Sequence, residues 1–537
     1  MRRFDLSVLW IDRECIPQRE CNEKKIALHA MDLVYAKSNH PVALLSMRIR
    51  LREDLALLTQ LMSGELVCKS RTKFNLAPTL DRQHACKVLK LLEAITSDDW
   101  WTRAWTFQEN YRGAEKMSLL LPHTQSLEHP KRYRSDLFDS IPGELRINSA
   151  EFHMAATAFC LAFIPTTDSE KKTREFVLGK APRYSFLLRE VAGDSDMRVT
   201  QAMSHQIIRN IGQRNLDVPW DRLAIVANCC QYSIRLDHGK LKKRSCSMSV
   251  SMLALFLLNG EIMHNGLYRT TGASQDEALS SFLEAQAFDE FYPPGTKKGL
   301  TFNKRCRFID VTFATSGIQT SGHLWSLGPL IESSTFSSGL PLMKEVAQGR
   351  LSQQKSSRLR QLAVELQKRG YVSLSNQISW FLTRGRYGGS VKSFAIDFLQ
   401  AMASEVADAI DNGKSLRMAR LYDSRDVPNS YTSICVWDEK DDGMHVKKEE
   451  ASDYGQNQQR TTTHVFTASK PAHRNRLSMN DLDRHVSLEV DCDFDSSSLP
   501  SLYTRRWNHG LYFFWRCPRV EVMFPWPRAI SECGTCI

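Results

Sequence analysis

The run Asp99-Trp100-Trp101-Thr102-Arg103-Ala104-Trp105-Thr106-Phe107-Gln108-Glu109 holds three tryptophans and a Gln-Glu pair, with no Gly or Pro to interrupt a helix. Trp101, Trp105 and Glu109 stand four apart, so helical spacing predicts one face on which two indoles lead to a carboxylate. A Glu in line with two indoles sits either at the rim of a core or in the wall of a cleft. On the first reading Glu109 forms a surface ion pair with Arg112 at i+3, because Arg103, six residues earlier, is poorly placed on the same helix. On the second it is a carboxylate presented to a ligand.

Other reactive residue types give weaker signals. Asp12 ends an apolar run, where a turn-capping role is the plain reading. Cys15 has no His near it in sequence and reads as a buried structural thiol, as do Cys86, Cys160, Cys229 and Cys230 in their apolar contexts. Cys533 and Cys536 form a Cys-x-x-Cys with no second pair at zinc-site spacing, so they read as a frayed tail, and no metal site is expected. No metalloprotease, phosphate-loop, dinucleotide or hydrolase-elbow pattern occurs.

The elements that position these residues follow from patterning. Leu6–Ile11 is a continuous apolar run that predicts a strand buried on both faces. Residues 23–38 predict a helix with Ala27, Met31, Val34 and Tyr35 on one side, and Val42–Leu45 a second strand, together a βαβ unit. Helices are expected over 50–62 and 84–96, and a strand over Ser118–Pro122. Residues 1–125 thus read as an α/β domain and 126–300 as mainly helical, with helices over 152–163, 200–212 and 222–232 and Asp221 as an N-terminal cap. Residues 301–437 read as a small sheet with helices over 357–369 and 394–412, the latter stopped by Gly413. A polar linker is expected over 438–483, interrupted at Val465-Phe466. A β-rich tail follows over 484–537, including a hairpin of 502–507 with 511–515 across Asn508-His509-Gly510.

At 537 residues the chain exceeds one ordinary core, and 42% hydrophobic with 24% charged residues is the balance of a folded protein. The net charge of +11 is spread along the length rather than concentrated in a basic patch, so nucleic acid is not an expected partner. No apolar run is long enough to span a bilayer, and Asp12 and Arg13 come too early for a signal peptide, so a cytoplasmic protein without a membrane partner is expected.

Three motifs in order carry a family resemblance. Trp10-Ile11-Asp12-Arg13-Glu14-Cys15-Ile16-Pro17-Gln18 resembles the "W-I-D-x-x-C-I-N-Q" signature of the fungal heterokaryon-incompatibility (HET) domain, with Pro17 in place of Asn. The helix from Glu23 to Met31-Asp32-Leu33-Val34-Tyr35 and the strand Val42–Leu45 resemble the family's next segment. Trp100–Glu109 is similar to its closing "W-x-x-R-x-W-x-x-Q-E". Beyond these, Trp220-Asp221-Arg222-Leu223-Ala224 resembles a helix that often follows HET domains. Such domains usually open with a further strand bearing an "L-S-Y-x-W-G"-like segment. None precedes Leu6 here, so the sheet is expected to lack its first strand or to be completed by another segment.

The resemblance implies more than the residues do. HET domains are thought to be distantly similar to TIR domains, which implies a TIR-like α/β fold. In the TIR domains that hydrolyse NAD, the catalytic Glu lies four residues after a Trp, the spacing of Trp105 and Glu109. Glu109 is then the catalytic candidate, stabilising the oxocarbenium-like charge as nicotinamide leaves. Asp12, Trp101 and Trp105 are the substrate-binding candidates, the indoles as stacking faces and Asp12 at a strand's carboxyl end. NAD enters as a substrate, with no bound cofactor. The implied role is an effector in incompatibility-triggered cell death, with self-association or an incompatibility protein as partner. The alternative is a non-catalytic assembly module acting through partner proteins.

Overall fold

A computed structural model describes residues 8–19, 21–69, 74–113, 116–181, 188–189, 199–200, 204–262, 265, 308, 310–336, 351–384, 403–404, 406–423, 431–437, 464–468, 486–494, 499–507, 509–512 and 517–527. The chain is mixed α/β and divides into two units, Met1–Leu255 and Phe256–Ile537.

The first unit begins with α1 (Asp12–Cys15), α2 (Asn22–Lys37), β1 (Val42–Leu44), α3 (Arg52–Met62), a hairpin of β2 (Val67–Lys69) and β3 (Phe74–Leu76), and α4 (Arg82–Thr96). Next come α5 (Asp99–Thr102), α6 (Ala104–Gly113), β4 (Ser118–Pro122), α7 (Glu128–Arg132), α8 (Ser135–Phe138), β5 (Glu144–Asn148), α9 (Ser149–Ala162) and α10 (Asp168–Lys180). A short pair, β6 (Leu188–Arg189) and β7 (Val199–Thr200), precedes α11 (Ser204–Gly212), α12 (Asp221–Cys229), α13 (His238–Lys243) and α14 (Met248–Leu258), whose last residues belong to the second unit.

Its sheet has the order β1-β4-β5, with β1 parallel and β5 antiparallel to β4. Residue 125 therefore falls between two paired strands of one sheet. Strand alternation puts Ala43, Leu119, Leu121, Leu145 and Ile147 on the buried side. They share one core with apolar residues of α3, α4 and α9, among them Leu58, Val88, Leu92, Phe152 and Phe159. Some of the helices start where the sequence supplies side-chain acceptors: Asp81 takes the His84 N–H at 2.8 Å, and Thr167 with Glu170 forms a capping box on α10.

The strand expected at Leu6–Ile11 is not formed over Val8–Ile11, and Val8 is 77% exposed. The physical reason is local. The Ile11 carbonyl accepts the N–H groups of Glu14 at 3.1 Å and Cys15 at 2.8 Å, so the backbone closes into α1 and offers no ladder. Among the described residues β1 is consequently an edge strand, paired with β4 alone, and its Leu44 is 73% exposed.

The second unit is built on β9 (Gly317–Ile331), which follows the short β8 (Thr312–Ala314). Helices α15 (Gln353–Lys368) and α16 (Val372–Arg384) come next, then β10 (Ser415–Leu421), β11 (Thr432–Trp437), β12 (His464–Ala468), β13 (Val486–Asp493), β14 (Ser501–Trp507), β15 (His509–Tyr512) and β16 (Val520–Pro525). The pairings β12–β13, β13–β14, β14–β16, β16–β9 and β9–β12 close into a ring around Leu324, Phe466, Leu488, Val490, Leu502, Val522 and Phe524. A second core joins β9, β10 and β11 to α15 and α16.

Two expectations change here. The stretch read as a linker contributes β12, because Val465 and Phe466 each bury in one of these two cores; its remaining residues lie outside the described ones. The hairpin across residues 508–510 does not form: β14 pairs with β13 and β16, whereas β15 pairs with β11. Long-range partners outcompete the local turn. Of the helix expected over 394–412, residues 394–402 lie outside the described ones, and Gly413, at φ 72°, follows its end. No helix among the described residues is long and apolar enough to cross a membrane.

One buried carboxylate ties the sheet of the first unit to the tryptophan-rich segment. Asp98 caps α5 through the Trp100 N–H at 2.9 Å. It also accepts from Ser46 N at 2.7 Å, Ser46 Oγ at 2.8 Å and Met47 N at 2.7 Å, in the loop after β1. Asp98→Ala removes the acceptor of all four bonds at once and is expected to destabilise the unit by about 3 kcal/mol, against about 1 kcal/mol for Ser46→Ala. Urea unfolding followed by tryptophan fluorescence checks the ranking, and equal losses would contradict it.

Candidate functional site

The tryptophan-rich run is not one helix. At Arg103 the backbone is extended (φ −84°, ψ 141°), and this residue bridges to Asn215. The Asn215 N–H donates to the Thr102 carbonyl at 2.8 Å, and the Ala104 N–H donates to the Asn215 carbonyl at 3.0 Å. The expected continuous face through Trp101, Trp105 and Glu109 is therefore cut between α5 and α6. Trp105 and Glu109 remain one turn apart on α6, while Trp101 is directed elsewhere.

Trp101 is 1% exposed and packs in the core, its ring 5.8 Å from Phe152 and 5.2 Å from His153. At that burial the ring offers no face to a ligand. Trp105 is half-buried, and its Nε1 donates to Asp221 Oδ2 at 3.3 Å, a contact that draws α12 onto α6. Asp221 lies in the first turn of α12 rather than capping it; the capping position is Trp220.

Glu109 meets a different set of residues. The Tyr35 hydroxyl of α2 donates to its carboxylate, and Asp12 and Arg103 act on it through space. The indole of Trp10 stands edge-on to Tyr35 with ring centroids 5.7 Å apart. Glu109 is only partly exposed, whereas Asp12 and Arg103 reach solvent. Burial, followed by the negative charge of Asp12, raises the Glu109 pKa to about 7, against the lowering effects of Arg103 and the Tyr35 hydrogen bond. Burial and the two carboxylates push the Tyr35 phenol far up, so it remains a donor. The result is a carboxyl group poised to gain or lose a proton near neutrality, with a neutral donor beside it.

The sequence did not assign Tyr35 or Arg103 to this site, although both stand within the quoted motifs. On an unbroken helix the spacing of Arg103 keeps it from Glu109, and the break makes its charge available. Arg112, expected to pair with Glu109, is buried instead, within electrostatic reach of Cys229 and Arg235. Asp12 opens α1 and accepts the Arg13 N–H at 2.8 Å, so it is not at the end of a strand. Cys15 is exposed rather than buried, since the single turn of α1 buries none of its residues, whereas Cys160, Cys229 and Cys230 are buried.

The Gln-Glu pair splits between two environments. Gln108 is fully buried, and its Oε1 accepts from Asn228 Nδ2 at 3.0 Å, a group that also donates to the Leu28 carbonyl at 2.8 Å. Arg235 donates to Asn228 Oδ1. The layer between α2, α6 and α12 is therefore polar, and Glu109 lies at the end of it that holds Tyr35.

Residues 1–109 match the family model described as Heterokaryon incompatibility protein (HET), so the chain carries a HET domain whose matched segment ends at Glu109. No curated protein and no solved structure matches the chain.

The raised pKa has a stability consequence. Below the ordinary glutamate pKa both folded and unfolded forms carry the proton. Between there and about pH 7 the unfolded chain releases it first, so stability falls as pH rises through this window. Glu109→Gln removes that cost. It is expected to gain on the order of 2 kcal/mol at pH 8 and almost nothing at pH 4.5. Urea unfolding at the two pH values tests this, and a loss of equal size at both would contradict it.

Proposed function

We propose that residues 1–109 are a cytoplasmic effector domain of fungal self/non-self recognition that hydrolyses NAD, with Glu109 as the catalytic carboxylate. The observation that carries this reading is the convergence of the three motifs on one cluster. Asp12 comes from the first, Tyr35 from the second, and Arg103 and Glu109 from the third. The match of residues 1–109 to the incompatibility family supports a role in incompatibility, and the link to TIR-type NAD hydrolysis is fold-level analogy.

The chemistry needs few groups. The bond between ribose C1′ and the pyridinium nitrogen breaks, and its electron pair leaves with neutral nicotinamide, so no general acid is required. The ionised Glu109 stabilises the oxocarbenium-like charge on the ribose, and water then adds to C1′ and releases a proton. Tyr35 orients the carboxylate and favours its ionised form. A positively charged pyridinium beside Glu109 favours that form further. Trp10, at the rim of the cluster, takes the stacking role that Trp101 cannot perform.

Nicotinamide release from NAD by the purified chain, followed by chromatography, tests this. Because the ionised form acts, release is expected to rise with pH through about 7. Glu109→Ala is expected to lose at least about a hundredfold. Tyr35→Phe removes the hydrogen bond that lowers the Glu109 pKa and should move the rising limb to higher pH. Equal release by wild type and Glu109→Ala would overturn the assignment.

One observation favours the second reading, an assembly module without catalysis. Edge strand β1 exposes Val42 and Leu44, and Val8 and Leu9 are exposed as well. An unpaired apolar edge is a template for another chain. On that reading the protein self-associates with increasing concentration in sedimentation, and Leu44→Lys prevents it. A monomer at all concentrations would count against it.

A further inference from the structure

The segment that matches the family ends at Glu109, but the helix carrying Glu109 is held from beyond it. Three contacts reach the closing motif from residues 215–228. The Asn215 backbone brackets Arg103, Asp221 Oδ2 accepts from Trp105 Nε1 at 3.3 Å, and Asn228 Nδ2 donates to Gln108 Oε1 at 3.0 Å. They follow one another in sequence on both sides, and the last falls on the residue next to Glu109.

Asn228 differs from the other two because it also holds α2. It is fully buried, and its amide nitrogen donates to the Leu28 carbonyl at 2.8 Å as well as to Gln108. The two hydrogens of an amide NH2 lie in one plane at a fixed angle, so the two acceptors are held in a fixed relation. Arg235 donates to Asn228 Oδ1 and keeps the amide from flipping, since a flipped amide would turn its NH2 toward the guanidinium. Gln108 Nε2 has no hydrogen-bond partner among the described residues, so the bond from Asn228 is what orients that side chain. An amide buried and half-satisfied is a poor way to gain stability. What this arrangement does specify is register, Leu28 of α2 against Gln108 of α6.

Register is what the Glu109 carboxylate needs. Tyr35 lies about two turns after Leu28 and so on the same face of α2, while Glu109 directly follows Gln108. The hydrogen bond from Tyr35 to Glu109 therefore spans the same two helices that Asn228 ties. A side-chain hydrogen bond fails beyond about 3.5 Å, so a small slide of α2 along α6 breaks it. We propose that Asn228 is a positioning residue for the Glu109 carboxylate: by pinning α2 to α6 it holds Tyr35 against Glu109, and the functional unit extends past the matched segment to α12. Its bearing on catalysis rests on the reading of Glu109 as the NAD-cleaving carboxylate, whereas the placement can be measured without turnover.

The test uses the full chain, with the Glu109 carboxyl titrated by carbon-13 NMR and nicotinamide release from NAD followed in parallel. Asn228→Leu approximates the shape of the side chain but donates nothing. Asp12 raises the Glu109 pKa, and Arg103 and the Tyr35 hydrogen bond lower it. Loss of the Tyr35 bond is therefore expected to move the midpoint up by about half a pH unit or more. In a Tyr35→Phe background, where that bond is already absent, Asn228→Leu is expected to add no further shift. Val88→Ala, which loosens the core beneath the sheet, is expected to leave the midpoint in place. Should Asn228→Leu fail to fold, Gln108→Met removes the same bond from α6 and is expected to move the midpoint in the same direction. An unmoved midpoint in the variant that folds would overturn the proposal, as would an equal shift in the Tyr35→Phe background or in Val88→Ala. A shifted midpoint in a protein that releases no nicotinamide even as wild type removes the catalytic reading and supports the placement.

Discussion

The backbone bridge between Arg103 and Asn215 is the constraint on which the first unit depends. Two hydrogen bonds to Asn215 hold the peptide groups on either side of Arg103 extended, and they divide a sequence that would otherwise continue as one helix. Upstream of the break, Trp101 enters the core beneath α5. Downstream, α6 packs between α2 and α12, so that Gln108 enters a buried polar layer and Glu109 meets Tyr35. Asp98 fixes the other end by joining α5 to the loop after β1. The closing motif is thus anchored at both ends, and its carboxylate is held beside Tyr35.

The cluster around Glu109 is a place where folding free energy is held in reserve. Two carboxylates stand within reach of each other, one of them largely buried, and a phenol adds no positive charge. Arg103 and the Tyr35 hydrogen bond offset only part of that cost. A purely structural surface ion pair would not need this arrangement, because exposed pairs contribute little and leave pKa values near normal. A site that must change protonation near neutrality, or receive a cationic group, does need it. Asp32, buried 3.9 Å from the partly exposed Arg235, shows a related feature: a desolvated carboxylate that is incompletely paired.

Much of the fold was legible. Ser118–Pro122 forms the strand its apolar run predicts, and α3, α4 and α9 follow the helical periodicity to within a few residues at their ends. The three motifs mark the domain that the family model matches. What was not legible depends on partners distant in sequence. Nothing in Thr102-Arg103-Ala104 announces a break, because Asn215 makes it. The apolar run before Asp12 reads as a strand, yet the described residues supply it no neighbour. Local turn chemistry at residues 508–510 is overridden by β11 and β13. Trp101 and Trp105 share a residue type and a spacing, and only tertiary packing separates a core ring from one that docks a helix.

The central claim is that Asp12, Tyr35, Arg103 and Glu109 form one electrostatically coupled cluster. The most direct measurement is the titration of the Glu109 carboxyl by NMR in protein with carbon-13 glutamate, in wild type and in Asp12→Asn. The account predicts a wild-type midpoint near pH 7 that falls when the Asp12 charge is removed. A midpoint at the ordinary glutamate value, unmoved by Asp12→Asn, would contradict it.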